Sequence, residues 1–224
     1  MIEIIVALGE TDCELINDGG LAQPVNAISS LAFSAIGVAL LVWAAAAAGW
    51  ERRFRYVTAG LFIVTGFGSF LYHGPQWVGS LFAHDITFLA VLAVVAGTHL
   101  TLALGRSERT AWTAIGTLIA IYAVTLLVWP TATNVLTASA VVLLIAGDIP
   151  LHRYGGLDAR WYTAALVLIV LAVVFLGLGR SGAPLCDPES VFQPHGLWHI
   201  LSAAALGAYL LGTAPVRIRL EANQ

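Results

Sequence analysis

Residues 161–179 read WYTAALVLIVLAVVFLGLG, an uncharged run bracketed by Arg160 and Arg180. A helix rises about 1.5 Å per residue, so a run of this length crosses the roughly 30 Å hydrocarbon core of a bilayer. The stretch at 25–49, VNAISSLAFSAIGVALLVWAAAAAG, has the same character. Composition agrees: over 224 residues the hydrophobic fraction is 59% and the charged fraction 10%, with mean hydropathy +0.87. A soluble domain carries about 25% charged residues, which excludes an ordinary water-soluble fold.

Working outward from these two runs, a window of about 19 residues finds seven apolar stretches. They cover approximately 26–49, 56–74, 80–104, 111–129, 133–151, 161–178 and 193–213. Short connections join them, so the expected fold is an all-α membrane protein, a seven-transmembrane helix bundle forming one domain over 26–213. Residues 1–25 are expected as an extracytoplasmic N-terminal segment and 214–224 as a cytoplasmic tail. The opening MIEIIVALGETDCEL lacks a basic region and a long apolar run, so it reads as a short segment along the outer surface and not as a cleaved leader.

All ten basic residues are arginines. In a seven-span alternation Arg52, Arg53, Arg55, Arg106, Arg109, Arg153, Arg160, Arg217 and Arg219 fall on one side, leaving only Arg180 on the other. The positive-inside rule then places the N-terminus outside and the C-terminus in the cytoplasm. Glu3, Glu10, Asp12, Glu14, Asp18, Asp187 and Glu189 fall on the outer side. Abundant Ala, Gly and Arg without Lys points to a GC-rich bacterial genome, hence a bacterial plasma membrane. No nucleic-acid partner is expected, and the oligomeric state is not legible.

Ionisable groups inside a span cost several kcal/mol and so mark function by default. Span 2 ends GFGSFLYHG, with Ser69 and His73 one turn apart; span 3 begins SLFAHDITFL, with His84 and Asp85; span 7 begins FQPHGLWHILS, with His195 and His199. All six fall in one layer beneath the outer surface. Residues i and i+4 lie about 5–6 Å apart on one helix face, the separation two imidazoles need to share a metal. Pro194 suits the first helical turn just before His195. His195 and His199 therefore make a two-ligand face, with His73 the natural third. Three protein nitrogens with a fourth position left to water is the donor set of a catalytic zinc site.

Asp85 is expected to face inward and His84 a helix interface. His99 and His152 lie towards the opposite end, and Asp148 in IAGDIPLHR is expected to pair with Arg153 or to cap local structure. The stretch TDCELINDGGLAQPVNAISSLAF clusters Asp12, Glu14, Asn17, Asp18, Gln23 and Asn26 ahead of Ser29 and Ser30. Such a density of hard oxygen donors reads either as a calcium site or as a solvated acidic loop that caps the first span. Cys13 and Cys186, the only cysteines, both fall on the outer side, where they either pair or stay free thiols.

Together CEL, QPVNAISSLAF, SFLYH, the HD of AHDITF and HGLWHILSA resemble the alkaline ceramidase family, within the wider superfamily of seven-span membrane hydrolases that includes the adiponectin-receptor-like proteins. The likeness extends over the whole chain in topology. It implies zinc held by His73, His195 and His199, Asp85 as acid/base group, Ser69 beside the reacting water or the developing oxyanion, and a Cys13–Cys186 disulfide. It also implies a calcium ion near the zinc, for which Asp12, Glu14, Asn17 and Asn26 are the candidate ligands. The chain departs from the family pattern at Gln23, where the family has a glutamate, and at Asp12, where it has a tryptophan. The implied activity is zinc-dependent hydrolysis of the amide bond of ceramide or another N-acyl lipid. The alternative from a different class is a seven-span receptor or regulatory protein with structural zinc. A proton-coupled transporter would spread its ionisable groups across the membrane, whereas here they share one layer.

Overall fold

Apolar runs of this length satisfy their backbone hydrogen bonds internally only as helices, and helices are what the computed structural model contains. It describes residues 8–153 and 158–221. The first seven residues, Glu3 among them, and the last three fall outside the described residues, as do the side chains of Arg217 and Arg219.

Seven helices follow in order: α1 Pro24–Ala45, α2 Gly49–His73, α3 Ser80–Ala103, α4 Glu108–Val128, α5 Thr133–Arg153, α6 Ala159–Leu178 and α7 Pro194–Glu221. Each contains a stretch long and apolar enough to cross a membrane, and among the described residues there is no strand. Single 3-10 turns precede α1, at Glu10–Asp12, and α5, at Pro130–Ala132.

Helix ends carry recognisable signals. Pro24 opens α1, whose free N–H groups at Val25 and Asn26 donate to the two carboxylate oxygens of Glu14 at 2.7 and 2.8 Å. Ser107 caps α4 and Asp158 caps α6 through their side chains. Two boundaries differ from the hydropathy reading. The second helix begins at Gly49, so Glu51, Arg52, Arg53 and Arg55 are helical. The last helix continues through the residues expected as a tail, to Glu221. Arginine favours helix intrinsically and Arg55 pairs with Glu51 one turn back, so a charge cluster ends the apolar run without ending the helix.

Helix α3 is the centre: 67% of its apolar window is buried, against 11% for α6. It packs against α2, α4 and α5; α1 joins α2 to α7, and α6 rests on α7. Phe33, Phe54, Phe62, Val91, Val94 and Leu210 form the main core. The exterior is apolar, with Val42 77% and Val128 81% exposed. A surface of that kind is at home only against hydrocarbon. Helices α5 and α6 meet at one end, where His152 contacts Tyr162.

Candidate metal centre

Three helices converge at the end of the bundle that carries the N-terminal segment. His73 closes α2, while His195 and His199 sit in the first two turns of α7. Their rings form a triangle with centroid separations of 4.6 Å between His195 and His199 and 5.0 Å from His73 to each. All three are buried, and a nitrogen of each lies within 4.8 Å of the others. Among the described residues no other three His, Cys or carboxylate side chains come together in this way.

One face of each ring meets a partner from the N-terminal segment or α1. His73 Nδ1 lies 2.8 Å from Gln23 Oε1, His199 Nδ1 lies 3.0 Å from Ser29 Oγ, and His195 Nδ1 lies 3.5 Å from Asp12 Oδ1. Ser29 donates its single proton to the Asn26 carbonyl, so it accepts from His199 Nδ1–H. The opposite nitrogens have no such supply. Nε2 of His73 and both ring nitrogens of His195 are buried without a hydrogen-bond partner, and Nε2 of His199 finds only Ser69 Oγ at 3.5 Å. Buried polar atoms left bare cost on the order of 1–3 kcal/mol each and ask for an occupant. A ligating histidine characteristically engages its second nitrogen with an outer partner while the first binds metal. The donor set therefore fits a divalent ion that accepts imidazole.

Gly196, between the two α7 histidines, faces α1: a Cβ there would stand 3.1 Å from Ser29 Oγ, a tight contact.

Asp85 and Ser69 share a cavity of about 180 Å³ with His195 and His199. Phe33, Phe88, Leu176 and Trp198 provide its apolar wall, and Thr133 and Arg180 contribute polar groups. Asp85 is buried, its Oδ1 accepts from His84 Nδ1 at 2.7 Å, and Oδ2 accepts from Thr133 at the start of α5. The expected separation of His84 from Asp85 onto different faces is thus corrected, because the two neighbouring side chains turn towards each other and both line the cavity. Ser69 Oγ is also 2.8 Å from Ser30 Oγ.

Three of the four residues named as calcium ligands are engaged elsewhere. Glu14 caps α1 with both oxygens, Asp12 pairs with Arg180, and the Asn17 amide donates to the carbonyls of Leu15 and Ala22 at 3.2 Å. Asn26 is buried and its side-chain amide has no hydrogen-bond partner. Burial pushes the Asp12 carboxyl above its ordinary range, with Arg180 opposing the shift. Burial raises that of Glu14 as well, against the N–H groups of Asn26 and Val25.

Cys13 and Cys186 form a disulfide, which ties the N-terminal segment to the loop before α7. The same junction is held by Ser181 N to Thr11 O, Leu15 N to Pro188 O and the Asp12–Arg180 pair. Arg180, the basic residue that stood apart in the charge count, is thus a partner of the site. Gln23, Ser29 and Thr133 were not assigned these roles from sequence, since each role depends on contacts between distant segments.

At the opposite end Asp148 does not meet Arg153 but accepts from His99 Nδ1, at 2.9 Å, and from the Tyr209 hydroxyl. Five residues on a helix turn through about 140°, so Arg153 faces outward while Asp148 faces the interior. His152 meets the hydroxyl of Tyr162 at 2.9 Å.

Compared with known proteins, the chain matches no family model, no curated protein and no solved structure.

Proposed function

We propose that this chain is an integral membrane zinc hydrolase that cleaves the amide bond of ceramide or a related N-acyl lipid, as its likeness to the alkaline ceramidases implies. The observation that carries the reading is the buried triangle of His73, His195 and His199, with Nε2 of His73 and of His195 bare, beside a cavity that also holds Asp85 and Ser69. Among the described residues no fourth His, Cys, Asp or Glu joins the triangle, which favours an open coordination position over the closed four-ligand shell of a structural site.

Bound to these three nitrogens, zinc supplies a Lewis acid for the carbonyl and brings the pKa of water from near 16 towards about 7. Hydrolysis then requires a base for the water, charge stabilisation, and a proton for the leaving amine. Asp85 takes the proton from water and returns it to the nitrogen as the C–N bond breaks and the new C–O bond forms. His84 and Thr133 hold its two oxygens and fix the rotamer. Ser69, beside His199 Nε2, donates to the developing oxyanion.

The cavity, at about 180 Å³, is below the roughly 300–1,000 Å³ of a site that encloses its ligand. It takes the reacting end of a lipid, and the acyl chains remain in the bilayer on the side where Thr137 of α5 and Leu176 of α6 line the cavity. The arginine distribution supports an orientation with this end on the extracytoplasmic side, and the composition supports a bacterial plasma membrane; water would then reach the site from outside.

The test is to purify the protein in detergent, measure bound metal, and follow fatty-acid release from a panel of N-acyl lipids with the wild type and His199→Ala. Release by the wild type alone is expected. Full metal occupancy without turnover of any amide or ester contradicts the hydrolase reading and leaves a regulatory protein with structural zinc.

A further inference from the structure

We infer that the metal centre is organised by a glutamine amide where its likeness to the alkaline ceramidases calls for calcium, with Gln23 the positioning residue that presents His73 to the metal. The inference rests on the reading of His73, His195 and His199 as ligands.

Gln23 is fully buried immediately before α1. Its Nε2 donates to the carbonyls of Gly9 and Glu14, both at 2.9 Å, which uses both amide hydrogens. Those two carbonyls settle the orientation of the amide: turned over, its oxygen would face two other oxygens with no proton between them. Oε1 is thereby directed at His73 Nδ1, and a hydrogen bond at 2.8 Å requires that Nδ1 carry the proton. The lone pair of His73 is then on Nε2, the atom that is buried without a partner. The backbone strengthens the arrangement, since Gln23 N donates to the carbonyl of His73 and Ala22 N to that of Gly74. Gly9 admits the amide: with φ +77°, it would carry a Cβ only 2.3 Å from Gln23 Oε1.

A glutamate at this position would have no hydrogens to offer the carbonyls of Gly9 and Glu14, and three sets of lone pairs would face one another. A bridging cation relieves such a meeting, and the glutamine amide achieves the same with its own N–H groups. The other acidic groups nearby are already used, Glu14 on the N-terminus of α1 and Asp12 on Arg180. Gln23 and Glu14 thus hold the N-terminal segment against the metal centre through their own direct hydrogen bonds.

The experiment uses the full-length, zinc-loaded protein and reads zinc affinity and thermal midpoint, with added calcium or with a calcium-selective chelator. The wild type is expected to be indifferent to both. Gln23→Glu is expected to bind zinc roughly ten- to a hundredfold more weakly in the chelator, the usual cost of losing a metal ligand's outer partner. Added calcium should restore part of that loss. A second readout needs no variant: the ring 15N shifts of His73 in the metal-stripped wild type should report the Nδ1–H tautomer. Calcium-dependent zinc affinity in the wild type, an unchanged affinity in Gln23→Glu, or an Nε2–H tautomer each overturns the inference while leaving the zinc site standing. A wild type that binds no zinc overturns both.

Discussion

The two ends of the bundle each bury a histidine cluster, and they do opposite things with it. At one end His99, Asp148 and Tyr209 satisfy one another across α3, α5 and α7. At the other, His73 and His199 have hydrogen-bond partners on Nδ1, while Nε2 of His73 and both ring nitrogens of His195 are left bare. Burying polar groups is costly at either end. A closed network recovers that cost within the protein and cross-links helices; an open one recovers it only by binding something. Burial alone does not separate the two clusters, whereas the presence or absence of a partner on each ring nitrogen does.

Breaking the open cluster should have the largest effect. His199→Ala removes one of three ligands, and both bound zinc and lipid turnover are expected to fall to background, read by elemental analysis and fatty-acid release. Asp85→Asn sharpens the distinction within the same end: kcat should drop about 10²–10⁴-fold, the usual contribution of an acid/base group, with zinc retained. Loss of zinc in that variant would make Asp85 a structural member of the site. Next comes the tether. The Cys13–Cys186 bond closes a sequence separation of 173 residues, and Cys186→Ser is expected to cost about 2–5 kcal/mol of stability, seen as a lower thermal midpoint in detergent. The smallest effect belongs to the closed cluster. Tyr209→Phe deletes a hydroxyl shared by His99 and Asp148 and should cost about 1–3 kcal/mol of stability, with zinc content and kcat at wild-type values. A change in metal binding there would mean that the two ends are coupled.

The helices were legible because a bilayer imposes a length and a polarity that local sequence records directly. The boundaries at Gly49 and beyond residue 213 were not, since arginines end an apolar run while the backbone stays helical. The His195/His199 pair was legible from its i, i+4 spacing, and His73 from its depth. Outer partners left no such trace: Gln23 reaches His73 across 50 residues of sequence and Ser29 reaches His199 across 170. Asp148 pointed to Arg153 by proximity in the chain, but helical rotation carried the two to different sides. The cysteines could only be placed at the same end, their pairing being left to the family likeness and now present in the fold.

The central claim is that three imidazoles hold one zinc and leave a position open beside the cavity. X-ray absorption at the zinc edge of the loaded wild-type protein tests it directly. The account predicts about one zinc per chain, ligated by three imidazole nitrogens and one further light atom at roughly 2.0–2.1 Å. A shell completed by a fourth protein side chain, or a protein that takes up no zinc, would contradict it.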